Sequence, residues 1–323
     1  MNWLLLIVGL AVLLGGGEAL VRGATALARR LGVSPMVIGM TVLAFGTSAP
    51  ELAVNVQAAL TGNSAITFGN VVGSNIANVG LILGLTSLIQ TLRIHRTIVT
   101  REIPIMLGAT GLAIVLAGDW VWGSAPDRLG RIDGAILLLA FAVFLFITAR
   151  NAIRARRDDQ FIHEAEEEQE QAALPSVMIA VPLTVAGLVG VLLGSDWTVA
   201  GASGVAEALG MSEALIGLTI VAVGTSLPEL TTSMFAALKG HADLAIGNIV
   251  GSNVFNLLFI LGVSASIRAV PVPEDRGRID LLVLAAFSLI LLPFGITQKR
   301  LRRTEGALLL SGYAGFMVWR TFF

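Results

Sequence analysis

Two glutamates carry the plainest chemistry in this sequence. Glu51 closes the run Gly46-Thr-Ser-Ala-Pro-Glu51 and Glu229 closes Gly224-Thr-Ser-Leu-Pro-Glu229, both midway along stretches that otherwise read as membrane-spanning helix. Each follows a threonine, Thr47 or Thr225, by four residues, a spacing that puts two side chains on one helix face. An ionised carboxylate near the bilayer centre costs about 2.5–3.5 kcal/mol even on the lenient insertion scale. Two of them at matching depth call for a reason, and a bound cation is one. The alternative is a pair of packing acids, protonated or salt-bridged to arginine, yet neither segment has a basic residue close to its glutamate.

More oxygens follow at helical spacing. Ser74 and Asn78, like Ser252 and Asn256, are four apart and lie within Gly69-Asn-Val-Val-Gly-Ser-Asn-Ile-Ala-Asn78 and Gly247-Asn-Ile-Val-Gly-Ser-Asn-Val-Phe-Asn256. The glycine pairs Gly69/Gly73 and Gly247/Gly251 are close-packing signals, and packing alone needs the glycines but not the amides. Pro50 and Pro228 add a third feature. Each has no N–H and clashes with the carbonyl four residues back, so the carbonyls of Gly46 and Gly224 lose their helical partners and the helix kinks or breaks. A freed carbonyl in hydrocarbon must be satisfied, and a cation would satisfy it. The ligand inventory is carboxylate, hydroxyl, amide and backbone oxygen. The chain has no cysteine, and its three histidines, His95, His163 and His241, fall in predicted loops. Such hard ligands select calcium, sodium or protons before zinc or copper.

The elements that must position these groups come in two copies. Gly39–Gly84 and Gly217–Gly262 align without a gap at an offset of 178, and Gly16-Gly-Glu18 with Gly194-Ser-Asp196 and Leu31-Gly32 with Leu209-Gly210 extend the match. At that offset the last two spans of each half show no such identity. With 323 residues, 55% of them hydrophobic and only 13% charged, the chain lies outside soluble composition. Long apolar runs predict ten helical spans near 2–28, 34–60, 65–90, 102–118, 133–150, 176–196, 211–238, 242–267, 279–297 and 305–322. The first reads as a transmembrane helix and not a cleaved leader, because no basic residue precedes it.

Charge then orients the spans. If both termini are outside, the inside loops hold 15 of the 21 basic residues, and the positive-inside rule favours that arrangement. Residues 1–150 form a first five-helix repeat and 176–323 a second. Between them, residues 151–175 form a charged cytoplasmic linker with the acidic run Glu164, Glu166, Glu167, Glu168 and Glu170. No EF-hand spacing supports a calcium sensor there. Halves with an odd number of crossings lie upside down relative to each other, the inverted-repeat layout of secondary transporters. The expected fold is therefore an all-α integral membrane protein of ten transmembrane helices, built as two inverted five-helix repeats with broken helices at the centre.

GTSxPEL followed by GNxxGSNxxN, doubled within ten spans, resembles the alpha repeats of the calcium/cation antiporter superfamily, in particular its prokaryotic sodium/calcium exchanger type. The resemblance implies an antiporter with a diamond of ligands at the membrane centre, exposed alternately to the two sides as spans 1 and 6 slide. It implies Glu51 and Glu229 as central carboxylates, with Thr47, Thr225, Ser48, Ser226, Ser74, Ser252, Asn78 and Asn256 around them. The carbonyls of Ala44 and Ala222 complete the outer sites. Some sodium-coupled members carry an aspartate at one of the positions held here by Asn78 and Asn256. This chain has an amide at both, so a site with both glutamates ionised has a side-chain charge of −2, which balances one calcium or two monovalent ions. The expected function is calcium/sodium exchange in the plasma (inner) membrane, with proton/calcium exchange as the alternative and a cation channel as a distant third. A channel needs no inverted, broken-helix repeats, and an intramembrane protease needs zinc ligands, an intramembrane histidine or paired aspartates. No enzyme activity, cofactor, nucleic acid or obligatory protein partner is expected; the partners are the lipid bilayer and inorganic cations.

Overall fold

Helices make up nearly all of the computed structural model, which describes every residue except 119–126, 160–174, 212–223, 275 and 323. Helix α1 spans Asn2–Leu31. The second expected span is helical in two pieces, α2 (Pro35–Thr47) and α3 (Ala49–Thr61), with a bend of 46°. Helix α4 runs over Ala65–Ala77, a π turn at Asn78–Leu83 and a last stretch Gly84–Ile89. Then come α5 (Ile98–Ala117), α6 (Arg131–Asp159), α7 (Val177–Ala208), α8 (Leu227–Leu238), α9 (Ala242–Ile267), α10 (Gly277–Pro293) and α11 (Arg303–Phe322). Four two-residue strands form two antiparallel ladders. β1 (Leu92–Arg93) pairs with β4 (Arg300–Leu301), and β2 (Arg128–Leu129) pairs with β3 (Val270–Pro271).

Among the described residues, seven helices are long and apolar enough to cross a membrane: α1, α4, α5, α6, α7, α9 and α10. The bent pair α2–α3 makes an eighth if taken as one span. The expected count of ten is therefore not reached. The seventh expected span runs into residues 212–223, outside the described set, and Ala222 lies there. The tenth, α11, is a 20-residue helix in which Glu305, Arg320 and polar residues such as Ser311 dilute the apolar run. The acidic run of the linker, Glu164 to Glu170, also lies outside the described residues.

Contacts divide the chain into two compact units that do not follow the halves of the sequence. One comprises Met1–Thr47 with Arg150–Asn248, the other Ser48–Ala149 with Ile249–Phe323. Each draws on both copies of the repeat.

In the first unit α1 and α7 pack antiparallel along glycine stripes of period seven. A Cβ on Gly9, Gly16 or Gly23 would meet the backbone of Thr198, Val191 or Thr184 at 2.5–2.6 Å, and one on Gly187, Gly194 or Gly201 would meet Leu20, Leu13 or Leu6 at 2.3–2.4 Å. The second set is the first displaced by 178. Glycine is required here because no side chain fits between two backbones so close, the same packing logic that small residues serve between membrane helices.

In the second unit the duplication reaches further than the sequence alignment. Gly84 on α4 packs against Gly306 and Leu310 of α11, and Gly262 on α9 packs against Gly134 and Leu138 of α6. The two contacts are equivalent once the offset drops to 172 for the last helices, where Arg131-Ile-Asp-Gly-Ala matches Arg303-Thr-Glu-Gly-Ala. The N-terminal caps match too: Asp133 Oδ2 accepts the Gly130 N–H at 2.7 Å, and Glu305 Oε2 accepts the Arg302 N–H at 2.9 Å. Both ladders obey the same pair of offsets. The expectation that the last two spans of each half lack the repeat is thus corrected: a six-residue length difference hides it in the fifth and tenth spans, while the fourth and ninth keep the offset of 178 without identical residues. Residues 178 apart also touch one another. Thr110 and Ser288 stand with hydroxyls 3.4 Å apart, and Asn253 Nδ2 lies 3.5 Å from the Asn75 carbonyl oxygen. Glu102 and Asp280, again 178 apart, are both buried, the first paired with Arg101 and the second 3.3 Å from Arg320 Nε.

Candidate functional site

The helix breaks are set by the two prolines, with a geometry that differs from a simple kink. Ser48 (φ −86°, ψ 9°) leaves helical conformation, α3 begins at Ala49, and the Ser48 carbonyl accepts the Leu52 N–H at 3.1 Å. Ser226 (φ −96°, ψ 3°) does the same before α8, its carbonyl accepting the Leu230 N–H at 3.0 Å. Each proline thereby occupies the first turn of a new helix, where its missing N–H costs nothing. Glu51 and Glu229 sit in those same first turns, at the electropositive end of the helix, which favours a carboxylate. Because helix α2 ends at Thr47 and Thr225 lies in the turn before α8, the continuous-helix spacing that put each threonine on the face of its glutamate does not apply.

The carbonyl freed in the second copy has a protein partner. Ser195 on α7 donates its hydroxyl to the Gly224 carbonyl at 3.1 Å, which corrects the expectation that a cation satisfies it. The equivalent of Ser195 in the first copy is Gly17, which has no hydroxyl to give.

Within the first unit the structure holds Ala44, Thr47, Ser226 and Glu229 buried, with Thr225 half-buried. Thr47 donates to the Leu43 carbonyl at 3.0 Å and lies 3.5 Å from Asn248 Oδ1. Asn248 Nδ2 in turn donates to Ser233 Oγ at 3.1 Å. Glu229 is 1% exposed.

Within the second unit Ser48, Glu51, Ser74, Asn78, Ser252 and Asn256 are all buried, Glu51 being 3% exposed. Asn78 opens the π turn of α4, and Asn256 lies in a matching π turn over Phe255–Ile260 of α9. Such turns insert an extra residue into the helical ladder and recur at functional sites. Asn78 Nδ2 donates to Asn253 Oδ1 at 2.9 Å. Asn55 Nδ2 donates to the Glu51 carbonyl at 2.7 Å and to Asn70 Oδ1 at 3.0 Å. The Ser252 hydroxyl and the amide oxygens of Asn55, Asn75 and Asn256 are buried without a hydrogen-bond partner among the described residues.

Apart from Ala222, outside the described residues, and half-buried Thr225, the expected site residues lie in buried, oxygen-rich surroundings in both units. No three histidine, aspartate or glutamate side chains cluster together among the described residues, and the neighbours bonded to the expected ligands are hydroxyl, amide and backbone groups. That mixture suits a hard cation that must be released again. Sequence reasoning missed Asn55, Asn70, Ser233, Asn248, Asn75 and Asn253. The signal was present: Asn55 and Ser233, Asn70 and Asn248, and Asn75 and Asn253 are three further polar pairs at the offset of 178.

Residues 1–150 and 179–322 match the family described as sodium/calcium exchanger protein. The chain is 34% identical over 344 residues to the sodium/calcium exchanger MaX1 of Methanosarcina acetivorans, covering 98% of this chain and 97% of that one. It is 36% identical over 321 residues to the inner membrane protein YrbG of Escherichia coli, covering 98% and 94%. Among solved structures, the sodium-calcium exchanger NCX_Mj soaked with sodium and calcium superposes with a TM-score of 0.83 at 32% identity, covering 98% of this chain and 97% of that one.

Proposed function

The chain belongs to the sodium/calcium exchanger protein family, and from that premise we propose that it is a secondary antiporter moving calcium against sodium across a membrane by alternating access. The observation that carries this reading is the pair of buried carboxylates, Glu51 and Glu229, each in the first turn of a helix that begins just after a non-helical serine. They stand at equivalent positions of a duplicated element. In this reading the chain is two inverted five-helix repeats, 1–150 and 176–323, joined by the cytoplasmic linker 151–175, with ten spans and both termini outside. Glu51 and Glu229 supply the charge that a cation needs in a low-dielectric interior. Thr47, Thr225, Ser48, Ser226, Ser74, Ser252, Asn78, Asn256 and the carbonyls of Ala44 and Ala222 supply neutral oxygens in place of its hydration shell.

The restricted charge makes exchange obligatory. With both glutamates ionised, one calcium neutralises the set, and so do two monovalent ions; leaving both carboxylates bare in hydrocarbon is the state to be avoided. An empty carrier therefore does not reorient readily, and each calcium leaving is matched by cations returning. The amides at both Asn78 and Asn256 favour a second reading in which protons are the counter-ion, since a proton on each glutamate also gives neutrality.

The test is calcium flux in proteoliposomes of the purified chain. A sodium gradient alone drives calcium uptake in the first reading, and a pH gradient without sodium drives it in the second. Glu51→Gln abolishes uptake in both. Calcium flux driven by neither gradient, or undiminished flux in Glu51→Gln, removes the assignment.

A further inference from the structure

We infer that Asn253 aims the Asn78 amide and so holds position 78 as an oxygen donor to the transported cation; the inference rests on the reading of Asn78 as a ligand given above. Asn253 is fully buried, and its Nδ2 lies 3.5 Å from the Asn75 carbonyl oxygen and 3.6 Å from the Met106 sulfur. Carbonyl and thioether only accept hydrogen bonds, so the nitrogen of Asn253 belongs on that side and its Oδ1 on the other. Oδ1 takes the hydrogen bond from Asn78 Nδ2 at 2.9 Å. The nitrogen of Asn78 is thereby committed and its Oδ1 is turned away from Asn253. A cation meeting an amide is attracted by the oxygen and repelled by the NH2 group. Fixing the amide plane from behind selects the attractive end before the ion arrives, as partners of metal ligands generally do.

The lock exists in one copy only. Its counterpart would run from Asn256 to Asn75, but Asn75 donates its Nδ2 to the Val71 carbonyl at 2.7 Å, and the amide oxygens of both Asn75 and Asn256 are buried without a hydrogen-bond partner among the described residues. Position 78 is thus preset as an oxygen donor, while position 256 is free to adapt to the ion it meets. Asn253 is a positioning residue in this account, acting on the cation through Asn78.

The experiment measures half-saturating calcium and maximal rate separately, in proteoliposomes, for Asn253→Leu, Met106→Leu, Asn78→Leu and the double variant Asn253→Leu/Asn78→Leu. Asn253→Leu raises half-saturating calcium about tenfold with maximal rate changed less than about twofold, the scale of one lost hydrogen bond. Met106→Leu conserves volume and leaves the Asn75 carbonyl in place, so it folds and raises half-saturation by about threefold. In the Asn78→Leu background Asn253→Leu adds nothing further, which a packing role would not produce. Unchanged half-saturation in both Asn253→Leu and Met106→Leu, or independent multiplication of the Asn253 and Asn78 effects, overturns the inference. Should Asn253→Leu not fold, Met106→Leu decides alone. If Asn78→Leu itself leaves half-saturation unchanged, the ligand assignment of Asn78 fails first, which is a separate result.

Discussion

Gly15 and Gly16 are neighbours on α1 and should respond in opposite ways to the same substitution. A Cβ on Gly16 would stand 2.6 Å from the Val191 nitrogen and 2.7 Å from the Gly190 carbonyl carbon, about 0.8 Å short of the 3.4 Å at which ordinary contact begins. These are backbone atoms in the middle of a helix and cannot rotate aside. Gly16→Ala therefore pushes α1 and α7 apart by roughly that distance, and a gap of this size forfeits about a quarter to a half of each dispersion contact along the seam. Overpacking of this kind typically costs about 1–3 kcal/mol. A Cβ on Gly15 meets nothing within 4 Å, so Gly15→Ala is sterically free and gains helix propensity of about 0.8–1 kcal/mol. The propensity gain is common to both variants and cancels between them, so Gly16→Ala should be less stable than Gly15→Ala by the clash alone, about 1–3 kcal/mol. Thermal unfolding of the detergent-solubilised protein reads the difference, with Gly194→Ala, 2.3 Å from the Leu13 nitrogen, as a second clash from the facing helix. Equal unfolding midpoints for Gly15→Ala and Gly16→Ala would show that the glycine stripes are not what brings α1 and α7 together.

Two further outcomes are expected. Ser195→Ala leaves the Gly224 carbonyl without the hydroxyl that satisfies it, and should cost about 1–3 kcal/mol in the same assay; Ser195→Thr, which keeps the hydroxyl, should cost less, and equal losses would show that the bond matters little. His241, at the start of α9, is held below the usual histidine range by burial and then by repulsion from Arg29. A base whose folded pKa is lowered takes up its proton more readily when unfolded, so stability falls as pH drops below about 6.5. Unfolding midpoints of wild type and His241→Gln between pH 8 and pH 5 check this: the wild type should lose ground to the variant on the acid side only.

Much of this molecule was legible in the sequence because its signals are local. Apolar length reveals a span, proline reveals a break, and the glutamate one residue later reveals where charge enters. What was hidden depends on distance in the fold. Nothing near Gly224 in the chain announces that Ser195, from another helix, takes its carbonyl. The repeat in the last spans was obscured by a change of offset from 178 to 172, which only the paired contacts Gly84 with Gly306 and Gly262 with Gly134 reveal. The amide network was overlooked for a different reason. Asn75 and Asn253 lie inside the motif, but helical spacing favoured Ser74 with Asn78, and spacing along one helix says nothing of a partner on another. The compact units were unreadable for the same cause, since each is made from both halves.

The places where the duplication is kept and where it fails separate framework from selectivity. Glycine stripes, ladders, helix caps and the left-handed glycines Gly32 and Gly210, Gly62 and Gly240 all recur at equivalent positions. These features fix backbone paths, and the alternating access proposed above would use equivalent paths in both copies. The departures fall on side-chain hydrogen bonds near the expected ligands: Ser195 answers to Gly17, and Asn78 is bonded to Asn253 where Asn256 has no such bond to Asn75. The backbone frame keeps its equivalent contacts through a six-residue length difference, whereas a side-chain amide can be bonded in one copy and not in the other without altering the frame. With Asn78 and Asn256 as the ligands proposed above, ion discrimination would fall to the residues behind them, and identical amides at 78 and 256 would present a cation with two unlike donors.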